Sequence, residues 1–367
     1  MKVNYLFLSL LFVVTRSALG SWHKYTHHGS GNLVSGVAVM QSRNTKLFVV
    51  GRHGHLWERV YTSSWKWVDH GVPPFLTGFD RLKSMPCVLM DGKLFIVTND
   101  GILVEHVYGT DGRWHWVDHG KPTDENGRIL ATLDATKCVA SQGNNRHRVF
   151  VLGRDNRLYQ RWWVNGAWNW RSHYFSFHRQ IWPGGFDVGF TGTHVYAVGT
   201  NGELYRFEMS PNGNQKFDWD HSLGKPDHGS TIIRSLSVNT INGATRVLVV
   251  SATNHIHEWR GTGGNPNSFS SGTQPAGVSS YGPQMILSKE FQHTCGRGNT
   301  PTNMVMIKTP HTIYAMTIPN FGGFDPPVAI GTNSNSFIDA MPAVLQNPRC
   351  PKVFLVTSNK KLVEFYV

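Results

Sequence analysis

The sequence is poor in cysteine, has no apolar periodicity typical of helices and has no N-glycosylation sequon. Its 367 residues include 4 cysteines, and no two of these are spaced as Cys-x-x-Cys, the spacing common in zinc sites. We therefore expect no bound metal. No Asn-x-Ser/Thr sequon occurs, so N-glycosylation is not expected. No segment keeps an apolar period of 3.6 residues over about ten residues, so helices should be scarce.

Long apolar runs are also absent. No segment beyond the amino terminus approaches the roughly 20 apolar residues that a membrane helix needs. The first residues resemble an export signal instead: Lys2 precedes the apolar stretch 5–14, and small residues stand at the usual cleavage positions within 17–20. We expect secretion of residues 21–367 as one domain, rather than retention by an uncleaved anchor. In an exported chain, four cysteines suggest two disulfides.

Acidic residues are fewer than basic ones. The chain has 35 Lys and Arg against 23 Asp and Glu, a net charge of +12, and removal of Lys2 and Arg16 with the signal lowers this by two. A basic surface outside the cell favours anionic partners such as acidic polysaccharide or phospholipid headgroups, although solubility alone would explain the same charge. The basic residues are scattered and no nucleic-acid-binding motif is present, so no nucleic-acid partner is expected.

Seven hairpin-like segments repeat along the chain. Each is an apolar strand, a polar or Gly-rich turn and a second strand that begins near a Leu or Ile, as in KLFVVGRHGHLWERV from Lys46. This Leu or Ile recurs every 46 to 57 residues, a repeat length that fits the four strands of a propeller blade. The seven positions are Leu56, Leu103, Leu158, Leu204, Ile256, Ile313 and Leu362.

The other two strands of each repeat are also visible. A short apolar strand precedes several hairpins, as in MPCVLM from Met85, and an aromatic strand follows several, as in WKWVDHG from Trp65. We therefore predict an all-β, seven-bladed β-propeller with four antiparallel strands per blade. The predicted blades lie at about 34–70, 84–120, 137–173, 185–222, 232–275, 283–331 and 339–367, the last completed by 22–29.

The last repeat ends before its aromatic strand, and the start of the mature chain offers a replacement. His27-His28-Gly29 aligns with Asp69-His70-Gly71 of the first repeat. We expect the N-terminal strand to join the last blade and close the ring, which removes free sheet edges. An open stack of sheets is the alternative.

The aromatic strand carries the motif W-x-W-x-D-H-G-x-P, at Trp65–Pro73 and Trp114–Pro122, with degenerate copies near Trp168 and Trp219. This motif ahead of an apolar hairpin resembles the repeats of Photorhabdus-lectin-like β-propellers. Those relatives are seven-bladed lectins that bind fucose and related or O-methylated sugars between blades. The resemblance implies a carbohydrate-binding protein with several similar sites and with glycans or glycoconjugates as partners.

Polar turn residues should lie beside the aromatic strand. In a propeller blade, the turn between the second and third strands lies at the same end as the link to the next blade, so hydroxyl-binding groups come next to an indole face. Packing of the tryptophans between blades and capping by Asp69 and Asp118 are the alternatives. The candidate ligand-binding residues are Arg52, His53, Trp67, His70, Asp100, Trp116, His119, Arg154, Asp155, Trp170, His173, Asn201 and Trp219.

Carboxylates recur in a way that argues against catalysis. Glutamate follows the repeated Leu or Ile by two residues in four repeats, at Glu58, Glu105, Glu258 and Glu364, with Gln160 in the third. Acid–base catalysis needs two carboxylates in different environments. We therefore expect these side chains to pair with Arg or His across strands, or to accept sugar hydroxyls.

No enzyme motif supports a catalytic alternative. The sequence contains no G-x-S-x-G, no HExxH and no P-loop. We therefore predict a non-enzymatic protein without a cofactor. An extracellular protein-binding scaffold is the main alternative to sugar binding, and a carbohydrate-active enzyme is the lesser one.

The repeat alignment predicts which cysteines are joined. Cys87 and Cys138 fall in the first strands of blades two and three, and Cys295 and Cys350 fall in equivalent loops of blades six and seven. Because adjacent blades bring equivalent positions together, we expect the disulfides Cys87–Cys138 and Cys295–Cys350. Peptide mapping of the unreduced protein tests this pairing, and a peptide that joins Cys138 to Cys295 would contradict it.

Overall fold

The computed structural model describes only part of the chain. The described residues are 25–30, 32–41, 44–89, 92–143, 146–173, 181–188, 194–208, 221–226, 231–241, 244–253, 255–262, 265–269, 285–292, 301–309, 311–318, 328–332, 336–337, 343–345 and 352–366. Within these ranges, the strands form seven four-stranded antiparallel sheets, as the all-β prediction requires. Among the same residues, no helix has the length and apolar character needed to cross a membrane.

The strands of the first three sheets follow one another along the chain, after β1 (Tyr25–Ser30). Sheet 1 contains β2 (Ala38–Gln41), β3 (Thr45–Val50), β4 (Leu56–Tyr61) and β5 (Trp65–Asp69). Sheet 2 contains β6 (Cys87–Val88), β7 (Lys93–Val97), β8 (Leu103–Tyr108) and β9 (Trp114–Gly120). Sheet 3 contains β10 (Leu133–Gly143), β11 (Arg146–Gly153), β12 (Leu158–Val164) and β13 (Ala167–His173).

The next three sheets have the same order. Sheet 4 contains β14 (Ile181–Val188), β15 (His194–Gly199), β16 (Leu204–Glu208) and β17 (His221–Gly224). Sheet 5 contains β18 (Ile232–Ile241), β19 (Ala244–Ser251), β20 (Ile256–Thr262) and β21 (Asn265–Phe269). Sheet 6 contains β22 (Met285–Gln292), β23 (Pro301–Lys308), β24 (Thr312–Ile318) and β25 (Val328–Thr332).

Sheet 7 is built from both ends of the described chain. Its strands are β26 (Ala343–Leu345), β27 (Lys352–Val356) and β28 (Lys361–Tyr366), and β1 pairs antiparallel with β28 as the fourth strand. Thr26 of β1 is opposite Glu364 in this pairing. The sheet thus has the same strand order as the others, although its outer strand precedes sheet 1 in the sequence.

Both faces of the second strand of each sheet are buried. Successive side chains of a strand point to opposite faces, and in β3 Leu47, Phe48, Val49 and Val50 are all fully buried. Val49 packs with residues of sheet 7 such as Phe354, whereas Phe48 and Val50 pack with residues of sheet 2. Apolar clusters of this kind join sheets 7 and 1, 1 and 2, 2 and 3, 3 and 4, 4 and 5, and 5 and 6.

Backbone hydrogen bonds connect the turns of neighbouring sheets through the chain link between them. Leu133 N, at the end of the link from sheet 2, donates to Gly101 O in the turn of sheet 2, over 3.2 Å. Arg154 N, in the turn of sheet 3, donates to Thr132 O over 2.8 Å. Equivalent pairs of bonds occur at two other junctions. Between sheets 7 and 1 they run from Leu33 N to Lys360 O and from Arg52 N to Asn32 O, and between sheets 4 and 5 from Ile232 N to Gly202 O and from Ala252 N to Thr231 O. At these three junctions, the turns between second and third strands are therefore tied to the neighbouring sheet.

These turns place one residue in the left-handed region, two positions before the repeated Leu. At Gly101, φ is +74°, and a Cβ would lie 2.6 Å from Leu133 N of the adjoining link. Glycine is thus required there both by conformation and by the close approach of the link. The equivalent residues in other described turns are Gly54, Asn156, Gly202 and Lys360.

The predicted Cys87–Cys138 disulfide is confirmed, with a Cα–Cα distance of 5.6 Å. The two cysteines lie on β6 and β10, the first strands of sheets 2 and 3. Nearby, Met85 and Lys137 form a parallel bridge. Cys295 and Cys350 lie outside the described residues, so their pairing stays a prediction.

Gly101→Ala should destabilise the protein more than Gly120→Ala does. Both glycines have positive φ, of +74° and +66°, but no atom lies within 4 Å of a Cβ at Gly120. Both variants should therefore lose about 1 kcal/mol for the left-handed backbone, and Gly101→Ala should lose a further 1–3 kcal/mol for the clash with the link (an order-of-magnitude range). Denaturant unfolding measures both, and equal losses would contradict the role given to the turn–link contact.

Candidate functional site

A buried pair of polar side chains occurs at the same place in four sheets. In each, the Glu or Gln of the third strand contacts a His at the end of the fourth strand. The pairs are Glu58–His70 at 2.8 Å, Glu105–His119 at 2.8 Å, Gln160–His173 at 2.9 Å and Glu364–His28 at 2.7 Å. Cross-strand pairing, one of the two predicted roles of the repeated carboxylates, is therefore the role that the structure shows.

Lysine at the start of the second strand completes this arrangement in two sheets. Lys46 Nζ lies 3.1 Å from Glu58, and Lys352 Nζ lies 2.7 Å from Glu364. Burial opposes ionisation of both carboxyl groups, but the hydrogen bonds from histidine and lysine hold the pKa of each below its ordinary value. In sheet 5, Arg246 and Arg260 contact Glu258 instead.

A hydrogen-bonded chain crosses from sheet 3 to sheet 2. Arg161 Nε donates to His119 Nδ1 over 3.2 Å, so the proton of this imidazole is on Nε2, which donates to Glu105 over 2.8 Å. Burial lowers the pKa of Arg161 to about 10, and the charge of Glu105 opposes this shift. The cation and the carboxylate are thus joined through the imidazole of His119.

The equivalent position in sheet 2 is occupied by His106, and its ring is buried among aromatic rings. It lies 4.6 Å from Trp114 and 4.0 Å from Trp116, between ring centroids. Neither ring nitrogen has a hydrogen-bond partner, although the His115 backbone weakly favours the protonated form. Burial, with a smaller effect of His70, lowers the pKa of His106 to about 3.

The second tryptophan of the aromatic strand both packs and bonds across sheets. Trp67 Nε1 donates to His28 O in sheet 7 over 2.7 Å, and Trp170 Nε1 donates to His119 O in sheet 2 over 3.0 Å. The guanidinium of Arg59 lies 5.2 Å from the Trp67 ring, and that of Arg161 lies 5.1 Å from the Trp170 ring. These indoles are therefore fixed in position by neighbours on two sheets.

An open cavity lies beside Trp67, at the junction of sheets 7 and 1. Its volume is about 430 Å³, and we call it cavity A. The Trp57 and Trp67 rings meet at a right angle with centroids 6.3 Å apart, and His55 Nδ1 lies 2.9 Å from Asp69 Oδ2. An aromatic corner thus faces exposed ionic groups. The lining residues are Asn32, Arg52, His53, His55, Trp57, Trp67 and Asp69.

A second open cavity, cavity B, lies beside Trp170 at the junction of sheets 2 and 3. Its volume is about 480 Å³. Its walls are more apolar, because Ile102 and Ile129 face it, and Lys121 and Arg161 supply the charge. The remaining lining residues are His119, Gly120, Thr123 and Trp170.

Five of the predicted ligand contacts line these cavities. Arg52, His53 and Trp67 come together in cavity A, and His119 and Trp170 in cavity B. The His119 side chain is buried and held by its polar partners, as are those of His70 and His173. These three rings therefore stabilise sheet packing.

The remaining predicted residues have local roles or lie elsewhere. Asp155 accepts a hydrogen bond from Tyr159 OH at 2.8 Å within its own turn, and Asn201 donates to Tyr205 OH at 2.8 Å in the equivalent turn. Arg154 donates to Asn99 O at 2.7 Å, and Trp116 packs on His106. Asp100 is exposed and lines neither cavity, and Trp219 lies outside the described residues.

The prediction from sequence missed residues that complete both cavities. Trp57 and His55 flank the repeated Leu56, which served only to mark the repeat. Arg161 stands three residues after Leu158, at the position of Arg59 and His106. This position carries Arg in the first and third repeats, and in both the guanidinium lies beside an indole. In the part of the chain that the structure describes, no three His, Cys, Asp or Glu side chains cluster as a metal site.

Comparisons with known proteins support the fold. No protein-family model and no curated protein matches the sequence. The β-propeller domain of Cps50 (Swd1) from Myceliophteria thermophila is similar over 94% of this chain and 100% of its own, with TM-score 0.59 and 10% identity. BBS1N, solved in complex with ARL6DN, is similar over 94% and 95%, with TM-score 0.55 and 10% identity. These likenesses show a propeller-like fold.

A sugar-binding protein is also among the similar structures. A fungal lectin from Aleuria aurantia, which has a six-bladed β-propeller fold and a novel fucose recognition mode, is similar over 92% of this chain and 93% of its own, with TM-score 0.47 and 13% identity. The resemblance of the sequence to Photorhabdus-lectin-like repeats stays a prediction, as does the count of seven blades in a closed ring.

Acid should weaken the fold through its buried histidines. Burial lowers the pKa of His106 and His173 to about 3, from the ordinary 6.5. Because the unfolded chain binds protons that the folded chain excludes, the free energy of unfolding should fall as the pH drops from about 6.5 towards about 3. His106→Phe should reduce this fall, since phenylalanine occupies the equivalent position as Phe365.

Thermal unfolding at about pH 7 and about pH 5 measures this effect. This pH range separates the histidines from the carboxyl groups with lowered pKa, because the stability that those carboxyl groups contribute is lost mainly below their ordinary pKa of 4.5. Phe365→Leu, at the equivalent position of sheet 7, is the control, because it alters a buried ring without removing a titratable group, and it should leave the pH dependence unchanged. An unchanged dependence in His106→Phe would show that protonation of this ring does not limit stability in acid.

Proposed function

We propose that the protein binds carbohydrate in cavities between neighbouring sheets. The observation that carries this proposal is cavity A, where the Trp57 and Trp67 rings form a right-angled corner beside the His55–Asp69 pair. A pyranose has one apolar C–H face and a rim of hydroxyls, so its recognition requires an aromatic surface next to hydrogen-bonding groups. The volume of cavity A, about 430 Å³, is in the range of small-molecule sites.

The polar groups of cavity A are suited to hydroxyls. Asp69 accepts hydrogen bonds, Arg52 donates them, and the imidazoles of His53 and His55 can do either. Asp69 is about two-fifths exposed and already accepts a bond from Gly71 N over 2.8 Å, which fixes its orientation. Two hydroxyls of a sugar could therefore replace water molecules on polar side chains of cavity A that are already oriented.

Cavity B favours a less polar sugar. Ile102, Ile129 and the Trp170 ring form its apolar wall, and a methyl ether on a sugar could lie against them. The resemblance to lectins that bind fucose and O-methylated sugars supports the same ligand class. We propose fucose-type and O-methylated sugars as the ligands of the two cavities.

Several sites on one ring would increase the avidity for a glycan-bearing surface. We propose that the seven sheets form one seven-bladed propeller, closed by the pairing of β1 with β28. The bond from Leu33 N to Lys360 O and the packing of Val49 with Phe354 support the junction of sheets 7 and 1. Secretion, inferred from the first twenty residues, would give such a ring access to extracellular glycans.

Glycan binding by Trp57→Ala tests this proposal. The mature protein should bind a defined neutral sugar on a glycan array, and the binding should persist at high salt because no net charge is neutralised. In solution titration with that sugar, Trp57→Ala should weaken the affinity about tenfold, which corresponds to about 1.4 kcal/mol.

Trp163→Ala is the matched control for this titration. It also removes an exposed indole, but Trp163 lines neither cavity, so sugar affinity should be unchanged. A blank array would reject sugar binding and favour a protein-binding scaffold. Binding that is confined to acidic glycans and lost at high salt would attribute the interaction to the net positive charge instead of to the aromatic corner of cavity A.

A further inference from the structure

Exposed aromatic rings recur at the end of the sheets opposite to the cavities. Tyr61, Tyr108 and Trp163 each stand five residues after the repeated Leu, at the end of the third strand of sheets 1, 2 and 3. Their exposed fractions are 46%, 54% and 39%. A single exposed ring would need no explanation, but large aromatic groups that are exposed at the same position in three sheets do need one.

A second ring holds each of these side chains in place. The aromatic residue is opposite the first tryptophan of the next strand and packs edge-on against it, and the centroid distances are 5.3 Å for Tyr61–Trp65, 5.4 Å for Tyr108–Trp114 and 5.6 Å for Trp163–Trp168. Edge-to-face packing restricts ring rotation. Three consecutive sheets therefore present preoriented aromatic platforms, which we call the aromatic row (Tyr61, Tyr108, Trp163).

Cations lie beside the aromatic row. Lys46 Nζ of sheet 1 lies 5.9 Å from the centroid of the Tyr108 ring and 5.1 Å from that of Trp114, both in sheet 2. Lys66 and Arg113, at the same end of the sheets, are exposed. The turns of the hairpins that carry the row, 61–65, 108–114 and 163–168, contain one carboxylate, Asp111, and His115 lies 2.9 Å from it. With a chain charge of +12, this end favours an anionic ligand.

We propose that the aromatic row binds an extended acidic polysaccharide. The apolar faces of successive sugar rings would lie on the rings of neighbouring sheets, while carboxylate or sulfate groups would contact the exposed Lys66 and Arg113. A repeating polymer fits a repeating platform, since each sheet adds one similar weak contact and the contacts combine in one chain. This surface is separate from the cavities proposed above, and its function does not depend on theirs.

The hairpin tips argue against a lipid bilayer as the ligand. Thr62, Ser63 and Ser64, and likewise Thr110 and Asp111, are exposed polar residues at the tips of the hairpins that carry the row. Insertion of the rings into hydrocarbon would remove water from these groups without replacing their hydrogen bonds. A polysaccharide can contact the same groups through hydroxyls.

Polygalacturonate and its fully methyl-esterified form are matched probes for this proposal. They share a backbone and differ in charge. The protein should bind polygalacturonate oligomers, with affinity that rises steeply with chain length, and should bind the ester more weakly. The triple variant Tyr61→Ser, Tyr108→Ser, Trp163→Ser should bind the long oligomer at least about tenfold more weakly. Tyr108→Ser alone should give part of this loss, which provides a test even if the triple variant is unstable.

Trp57→Ala is the matched control, because it alters cavity A and leaves the aromatic row intact. It should keep polygalacturonate binding, while the triple variant should keep binding of the neutral sugar in the cavities. Retention of polygalacturonate affinity within about twofold in the folded triple variant, or its loss in Trp57→Ala, would overturn the proposal. Binding to phosphatidylcholine vesicles with added phosphatidylserine that requires the row, without polysaccharide binding, would overturn it in favour of a lipid surface.

Discussion

The burial of both faces of the inner strands is the constraint on which the rest of the structure depends. In β3, Phe48 and Val49 point to opposite sides and are both fully buried, each against a different neighbouring sheet. Inner strands packed in this way have no face on which polar side chains can be hydrated. Any polar residue at an inner position must therefore find its partner within the protein.

The repeated histidine–carboxylate pairs meet that requirement. Glu58 and His70 satisfy each other across two strands, and Lys46 from a third strand adds the compensating charge. The same pairing between His28 and Glu364 joins strands that lie at opposite ends of the described chain. The pairs thus act as interior polar links. His106 lacks such a partner, and together with His173 it should make the fold sensitive to acid.

The two proposed binding surfaces follow from what this packing leaves exposed. At one end of the strands, Trp67 is held by a bond to the neighbouring sheet and by the Arg59 guanidinium, so that it forms a fixed wall of cavity A. At the other end, Tyr61 packs edge-on against Trp65 and remains half exposed. Both surfaces are rigid because their aromatic side chains also belong to the sheet packing, which limits the conformational entropy lost on binding.

The sequence by itself determined the repeated four-stranded unit, the position of each hairpin and the Cys87–Cys138 disulfide. These features depend on local alternation of apolar residues and on turn chemistry, and the repeats make each of them visible several times. The sequence also placed Arg52, His53 and Trp67 at one end of the first sheet. Only the tertiary structure decided that His70 turns inward to Glu58 while His55 remains at the surface with Asp69. The reason is that neighbouring sheets, which are distant in sequence, select which side of each strand is buried.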